Sequence, residues 1–408
     1  MASSKVKTRT IISATVTLAL VAVCGYFFEE FKEWFPWLTT MQIRSYSWMT
    51  GLEARKPRPK FVIGVEIDDA TFATLNLPIG GPTRRSALAK VVENLVEFHP
   101  AVIALDINLS SDPAADEAQP RKSENANLLA SFHKAASQTI PVVLTCSFDR
   151  DGRRLSNVFA DETLPHFGDP GCSYRTRVGF DNSASDLRKI PLTIDRLSPQ
   201  GKSTAYDSFA LEVAQAYEDR LGILPRTSKR LTRHIEERNF VYASFLAQNE
   251  IPHISATSVL KRDTATMSRI SHRIVLIGGN RHAGAGSNEW LDDHGSPPLN
   301  MRGMYFHANY IEGLLDDRIR SDVPRWTASL VDVVLGVLMI YFSRKGESLK
   351  ARLALMGVFF VPVILAYVAS ANLGYVFDFV LPLLLLFIHI IMEHYFHLRE
   401  TARERGMS

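Results

Sequence analysis

Aspartates close two apolar runs in this 408-residue chain, and chemistry could begin where they stand. Asp68 and Asp69 follow VIGVEI, Asp106 follows AVIAL, and Asp292, Asp293 and His307 come after a third run, RIVLIGG. Brought together, carboxylates and an imidazole can hold a divalent cation through hard oxygen ligands, with Asp68, Asp69, Asp106 and Asp292 as the ligand set. A metal held there would make the chain a hydrolase. Acids at strand ends have a competing use, which is to accept the free N–H groups of a following helix. Arg84 and Arg85 open a helical pattern, where an anion would meet guanidinium charge and unpaired amides together; a structural ion pair with Asp68 or Asp69 is the alternative. His307 and Asn309 lie in an apolar helical stretch, FHANYI, a setting that suits a packed, hydrogen-bonded histidine better than a catalytic one. The candidate ligand contacts are therefore Asp68, Asp69, Arg84, Arg85, Asp106, His307 and Asn309, with no catalytic residue and no cofactor assigned.

The elements that must position these residues are legible from hydrophobic period. Residues 61–69 form an apolar run of strand length rich in β-branched side chains. In residues 84–98, Leu88, Val91, Val92, Leu95 and Val96 make one stripe at helical spacing, with Thr83 as the expected N-cap. Residues 101–107 read as a second buried strand, parallel to the first because a helix joins them and expected to be its neighbour in the sheet. Further expectations are a helix at 125–137, a strand at PVVLTC, a helix at 205–218, strands near Phe240 and at 273–279, and a last helix after His307. Such alternation predicts an α/β domain with a mainly parallel sheet covered by helices on both faces, whose ligands collect at the strand C-termini. The glycine-rich stretch 278–290 lacks the spacing of a nucleotide fingerprint and carries no phosphate-binding lysine. The basic segment 220–238 reads as a solvated insertion.

Composition divides the chain by segment. Residues 10–28 are uncharged and, at about 1.5 Å per residue, long enough to cross most of a hydrocarbon core about 30 Å thick. Three more runs of spanning character follow at 326–342, 353–371 and 375–392, giving four expected transmembrane helices. Lys5, Lys7 and Arg9 precede the first, and Arg344, Lys345, Lys350 and Arg352 fill the 343–352 connection, so both regions are expected to face the cytoplasm. Residues 29–325 are then extracytoplasmic, periplasmic in a cell with two membranes, with residues 1–28 and the 393–408 tail giving both chain ends a cytoplasmic place at the inner membrane. Asp332 and His389 are ionisable groups at membrane depth and so candidates for transmembrane coupling. A disulfide between Cys146 and Cys172 is chemically allowed in the exported region. The net charge of +3 is accounted for by the inside-facing loops, which leaves no argument for nucleic acid.

Three blocks of residues resemble the type 2 CHASE domain, an extracytoplasmic sensory domain found with bacterial cyclases and histidine kinases. VIGVEIDDATF with TRRSALAKVVENL and AVIALDINL is similar to the family's opening strand, Arg-led helix and second strand. VGFDNSASDLRKIPL with YDSFALEVA matches a turn and a buried helix, and RIVLIGG with SPPLNMRGMYFHANYIEGLLDDRI resembles the closing strand, loop and helix. Residues 78–85 depart from the family pattern in having no tryptophan. The resemblance implies a sensor in which a periplasmic ligand or protein acts on the domain. No output domain is expected in the chain, so a separate cytoplasmic or membrane signalling protein would read the change. The lipid bilayer is an expected partner and a second copy of the chain another; the alternatives to a sensor are the metal-assisted hydrolase and a ligand-free membrane scaffold.

Overall fold

A computed structural model of the chain describes residues 58–77, 83–107, 109, 119–145, 189–197, 203–223, 240–243, 246, 248–280, 293–296, 299–316 and 318–343, with positions 34, 37, 41, 360, 361, 363–368, 375, 376, 395, 398, 399 and 402. The chain divides into two compact units, Pro57–Ile319 and a second made of Met1–Lys56 with Arg320–Ser408.

In the first unit, five strands form a parallel sheet in the order β3, β2, β9, β1, β8. These are β1 (Val62–Asp68), β2 (Val102–Asp106), β3 (Val142–Leu144), β8 (His253–Ser255) and β9 (Ile274–Asn280). Uninterrupted runs of Val, Ile and Leu suit such strands because both faces are covered. Along β1, Ile63, Val65 and Ile67 enter one core with α2 (Arg85–Val96), α3 (Arg121–Ser137), α5 (Ala256–Leu260) and α6 (Thr264–Met267). Val62 points the other way, into a core with α4 (Phe209–Leu221) and α7 (Gly303–Leu315). The expected layering is thus observed.

Strand order corrects one expectation. β1 and β2 are not neighbours, because β9 lies between them and pairs with both: Gly278 stands opposite Glu66 on one side and Asp106 on the other. The third apolar run of the sequence is therefore the central strand. A short edge strand, β8, was not expected; its three residues pair with Gly64, Val65 and Glu66.

Helix boundaries differ where long-range contacts decide them. The N-cap of α2 is Arg84, not Thr83, and its side chain makes no capping bond. Glu124, at the start of α3, does that work by accepting from the Arg85 amide at 3.2 Å and the Ser86 hydroxyl at 3.3 Å. Residues 205–207 belong to β6 (Ser203–Asp207), which pairs antiparallel with β5 (Thr193–Leu197), and α4 begins only after Ser208, whose hydroxyl accepts from Leu211 N. The final helix, α7, starts at Gly303, so His307 lies inside it. β4 (Lys189–Pro191) pairs antiparallel with β7 (Phe240–Ala243), and β10 (Asp293–Ser296) with β11 (Leu299–Arg302).

In the second unit, β12 (Ile319–Asp322) leads to α8 (Arg325–Ser343), the helix that covers the 326–342 run. β13 (Tyr375–Val376) pairs in parallel with Ser321 and Asp322, so the 375–392 run opens as a strand rather than as helix. Residues 10–28 lie outside the described residues, as do most of 353–371 and 375–392, Cys146, Cys172, Asp292 and His389. Among the described residues, no helix is long and apolar enough to cross a membrane.

Candidate functional site

The C-terminal ends of β1, β2 and β9 carry a polar cluster on the α7 side of the sheet. Residues 62, 64 and 66 of β1 share that face by the two-residue period of a strand, so Glu66 sits where a core side chain would. It is 8% exposed. The fully buried Tyr305 hydroxyl of α7 donates to Glu66 Oε1, and Asn280, the last residue of β9, donates to the same oxygen through its amide nitrogen. The Asn280 side-chain oxygen is buried and has no hydrogen-bond partner among the described residues. Burial, then the bond to Glu66 and the Glu66 charge, push the Tyr305 phenol far above its ordinary range, against an opposing effect of Arg302.

Two residues further along α7 comes the second pair. Asp106 is 4% exposed and His307 8%. His307 Nε2 lies 3.8 Å from Asp106 Oδ1, an ion-pair separation longer than a direct hydrogen bond. The rings of Phe209 and Phe306 meet the imidazole edge-on, at centroid distances of 5.2 and 5.9 Å. Between Glu66 and Asp106 on the sheet is Gly278, and a Cβ there would lie 2.8 Å from Met304 Cβ. Only glycine lets α7 approach this closely. The sheet and the helix therefore contribute one partner each to two polar contacts, Glu66 with Tyr305 and Asp106 with His307.

The other candidates separate from this cluster. Asp68 is the N-cap of α1 (Asp69–Thr74), accepting from Thr71 N at 2.8 Å and from the Thr71 hydroxyl at 2.6 Å. Asp69 is the first residue of that helix, where its charge complements the helix N-terminus. Arg84 is exposed. Arg85 is buried and donates to Asn125 of α3. Asn309 is buried at 1% exposure; it accepts from Leu246 N at 2.6 Å and donates to Leu246 O and Tyr305 O, so its amide holds a loop to α7. Asp332 lies on α8. No group of three or more His, Cys, Asp or Glu side chains placed to hold a metal occurs among the described residues.

Sequence reasoning named Asp106 and His307 and passed over Glu66, Asn280 and Tyr305. A signal for Glu66 existed: it is the one charge within VIGVEI, at an inward position two residues before Asp68.

The CHASE2 domain family matches residues 17–342, well over half of the chain. This chain belongs to that family. CHASE2 domains are extracellular sensory domains rather than catalytic ones. No curated protein and no solved structure matches this CHASE2 chain.

Proposed function

We propose that this CHASE2 protein is a membrane-anchored extracytoplasmic sensor whose ligand, small molecule or protein, acts at the strand ends beneath α7, and that a separate cytoplasmic or membrane protein reads the result. The observation carrying this reading is that Glu66 and Asp106 on the sheet are each bridged to α7, by Tyr305 and His307. A ligand that takes over either carboxyl group, or that fits between Asp106 and His307, changes how α7 is seated. It can shift that equilibrium only by its differential affinity for the two seatings, typically 1–3 kcal/mol in allosteric proteins.

The anchoring part rests on the charge asymmetry of the apolar runs and on α8. Trp326, Leu330, Val334, Val337, Leu338 and Tyr341 are all exposed along that helix, and a stripe this apolar with an aromatic residue at each end suits a bilayer with its two interfaces. Four spans, with both chain ends cytoplasmic and residues 29–325 outside, complete the reading.

Two measurements test it. A cysteine placed at Gly201 in a chain otherwise freed of cysteine should react with a membrane-impermeant maleimide in intact spheroplasts. Protection until lysis overturns the topology. For the site, thermal melting of the purified chain against a panel of periplasmic metabolites and envelope extracts should reveal a stabilising component, since a ligand raises stability by mass action. The shift should vanish in Glu66→Gln and Asp106→Asn while persisting in Arg84→Ala; a shift that survives both carboxyl substitutions removes the strand ends as the site.

A further inference from the structure

Towards the opposite end of α7 lies a further buried carboxyl group, and it grips the chain where the polypeptide enters the domain. Glu312 is 0% exposed. Its Oε1 accepts from three successive backbone amides, Lys60 at 3.0 Å, Phe61 at 2.7 Å and Val62 at 2.7 Å, and its Oε2 accepts from Lys60 N at 3.0 Å. Lys60 and Phe61 lead into β1 and Val62 is its first residue, ahead of the residues that pair with β8. Just outside, Asp316 receives Lys60 Nζ at 2.6 Å and Arg318 Nε at 3.0 Å, while Arg318 Nη2 is 4.0 Å from Glu312 Oε2. The chain entering at Lys60 and the chain leaving at Arg318 are thus held to one another through the last turns of α7.

The geometry points to α7 as a coupling rod and to Glu312 as the joint through which a change in the seating of its first turns reaches the chain entering the domain. Tyr305 and Glu312 are two turns apart on one helix, roughly 10 Å along its axis, and they contact β1 at its two ends, Glu66 and Val62. A packed helix moves as a rigid element. Displacement at Tyr305 is therefore felt at Glu312, whose hydrogen bonds run to three main-chain donors, with the Arg318 guanidinium 4.0 Å away as a side-chain ion pair. Two features of the surroundings support a mechanical role. Gly64 and Gly278 leave room for Met304 in the first turn of α7, so the helix approaches the sheet closely beside its Glu66 end. Phe61 packs edge-on against Tyr217 of α4 at 5.7 Å, so the gripped segment also touches the other helix of this layer. This inference holds whatever molecule the strand ends take.

The test is a double-mutant cycle read by amide hydrogen exchange on the full chain in lipid nanodiscs, with Tyr305→Phe and Glu312→Gln as the two changes. Tyr305→Phe should lower protection at Lys60, Phe61 and Val62 by on the order of tenfold, with Ile274 and Val275 in the central strand changed much less. Glu312→Gln alone should expose the same three amides by at least that factor. In the Glu312→Gln background, Tyr305→Phe should have no additional effect at these positions. Additive losses in the double mutant, or a Tyr305→Phe chain with unchanged protection at 60–62, overturn the coupling. Loss of protection spread evenly over the five-stranded sheet also overturns it, since that is general destabilisation.

Discussion

Adding one methyl group at Gly278 should unseat α7, and the same change at Gly64 should not. The Cβ of Gly278→Ala would stand 2.8 Å from Met304 Cβ, 3.0 Å from its Cγ and 3.1 Å from its Sδ. Carbon pairs are most favourable at about 3.5–4.0 Å, so the contact is roughly 0.7 Å or more too short. Met304 Cβ is fixed to the helix backbone and no rotamer moves it. Relief must come from the helix or the central strand, a strain of about 1–3 kcal/mol. Replacing glycine by alanine also restricts the unfolded chain, which returns about 0.4–1 kcal/mol, leaving a net loss of about 1–2 kcal/mol. At Gly64 the nearest atoms are Met304 Cε at 3.1 Å and His253 Cβ at 3.5 Å. The first is the free end of a flexible side chain, so that variant should stay within about 0.5 kcal/mol of the parent. Denaturant midpoints of the two purified variants should differ accordingly, and Met304→Gly, which removes the clashing Cβ together with Cγ and Sδ, should destabilise the Gly278→Ala chain less than it does the parent. Equal stabilities for the two glycine variants, or strict additivity with Met304→Gly, would refute the claim that α7 rests directly on Gly278.

Two further outcomes follow from the partners of single side chains. Tyr305 has its phenol pKa raised in the folded state, so below pH 10 both states keep the proton, while above it the unfolded chain releases a proton that the folded chain retains. Stability must then fall as pH rises past 10, by about 1.4 kcal/mol per pH unit for this group. Tyr305→Phe should be less stable than the parent at pH 8 yet lose stability less steeply between pH 10 and 11; parallel slopes in equilibrium unfolding would contradict the buried phenol. Asp68→Ala should cost about 1 kcal/mol, the usual loss of an N-cap, and leave any ligand-induced rise in melting temperature intact; disappearance of that rise would return Asp68 to the ligand site.

Which parts of this were readable in advance depends on the range of the forces involved. β1, β2 and β9 announce themselves because strands buried on both faces need unbroken β-branched runs, and the stripe of α2 is a local period. Strand order is not local. β9 comes more than 160 residues after β2 in the chain, roughly counted, yet lies between the first two strands, and nothing in RIVLIGG states its neighbours. The N-terminus of α2 was misplaced for the same reason, since its capping carboxyl group belongs to Glu124 on another helix. At the site, Asp106 and His307 are legible as polar groups in apolar company, whereas Glu66 is a single charge inside a strand, next to the more conspicuous acid pair Asp68 and Asp69. Asp68 turned out to be used within its own helix turn, a role that a strand ending in Asp and followed by a helix permits from sequence alone.

The polar seating of α7 also bears on why such a domain would sense at all. Buried carboxyl groups are costly, and apolar replacements of similar volume are often neutral or stabilising. Two of them, Glu66 and Glu312, nevertheless meet this one helix or belong to it, with Asp106 against His307 as a third contact. Gly64 and Gly278 leave room for Met304 in the first turn of α7, while Ala308, Ile311 and Leu315 of its later turns share an apolar core with Val62, Ala104 and Leu276 of the sheet. Apolar packing resists sliding, whereas directional bonds can exchange one set of partners for another, and a ligand needs to favour the second set by only a few kcal/mol to populate it. Buried carboxyl groups stand here where a purely structural domain could use apolar side chains, and they stand along the line that joins the strand ends to the chain entering at Lys60.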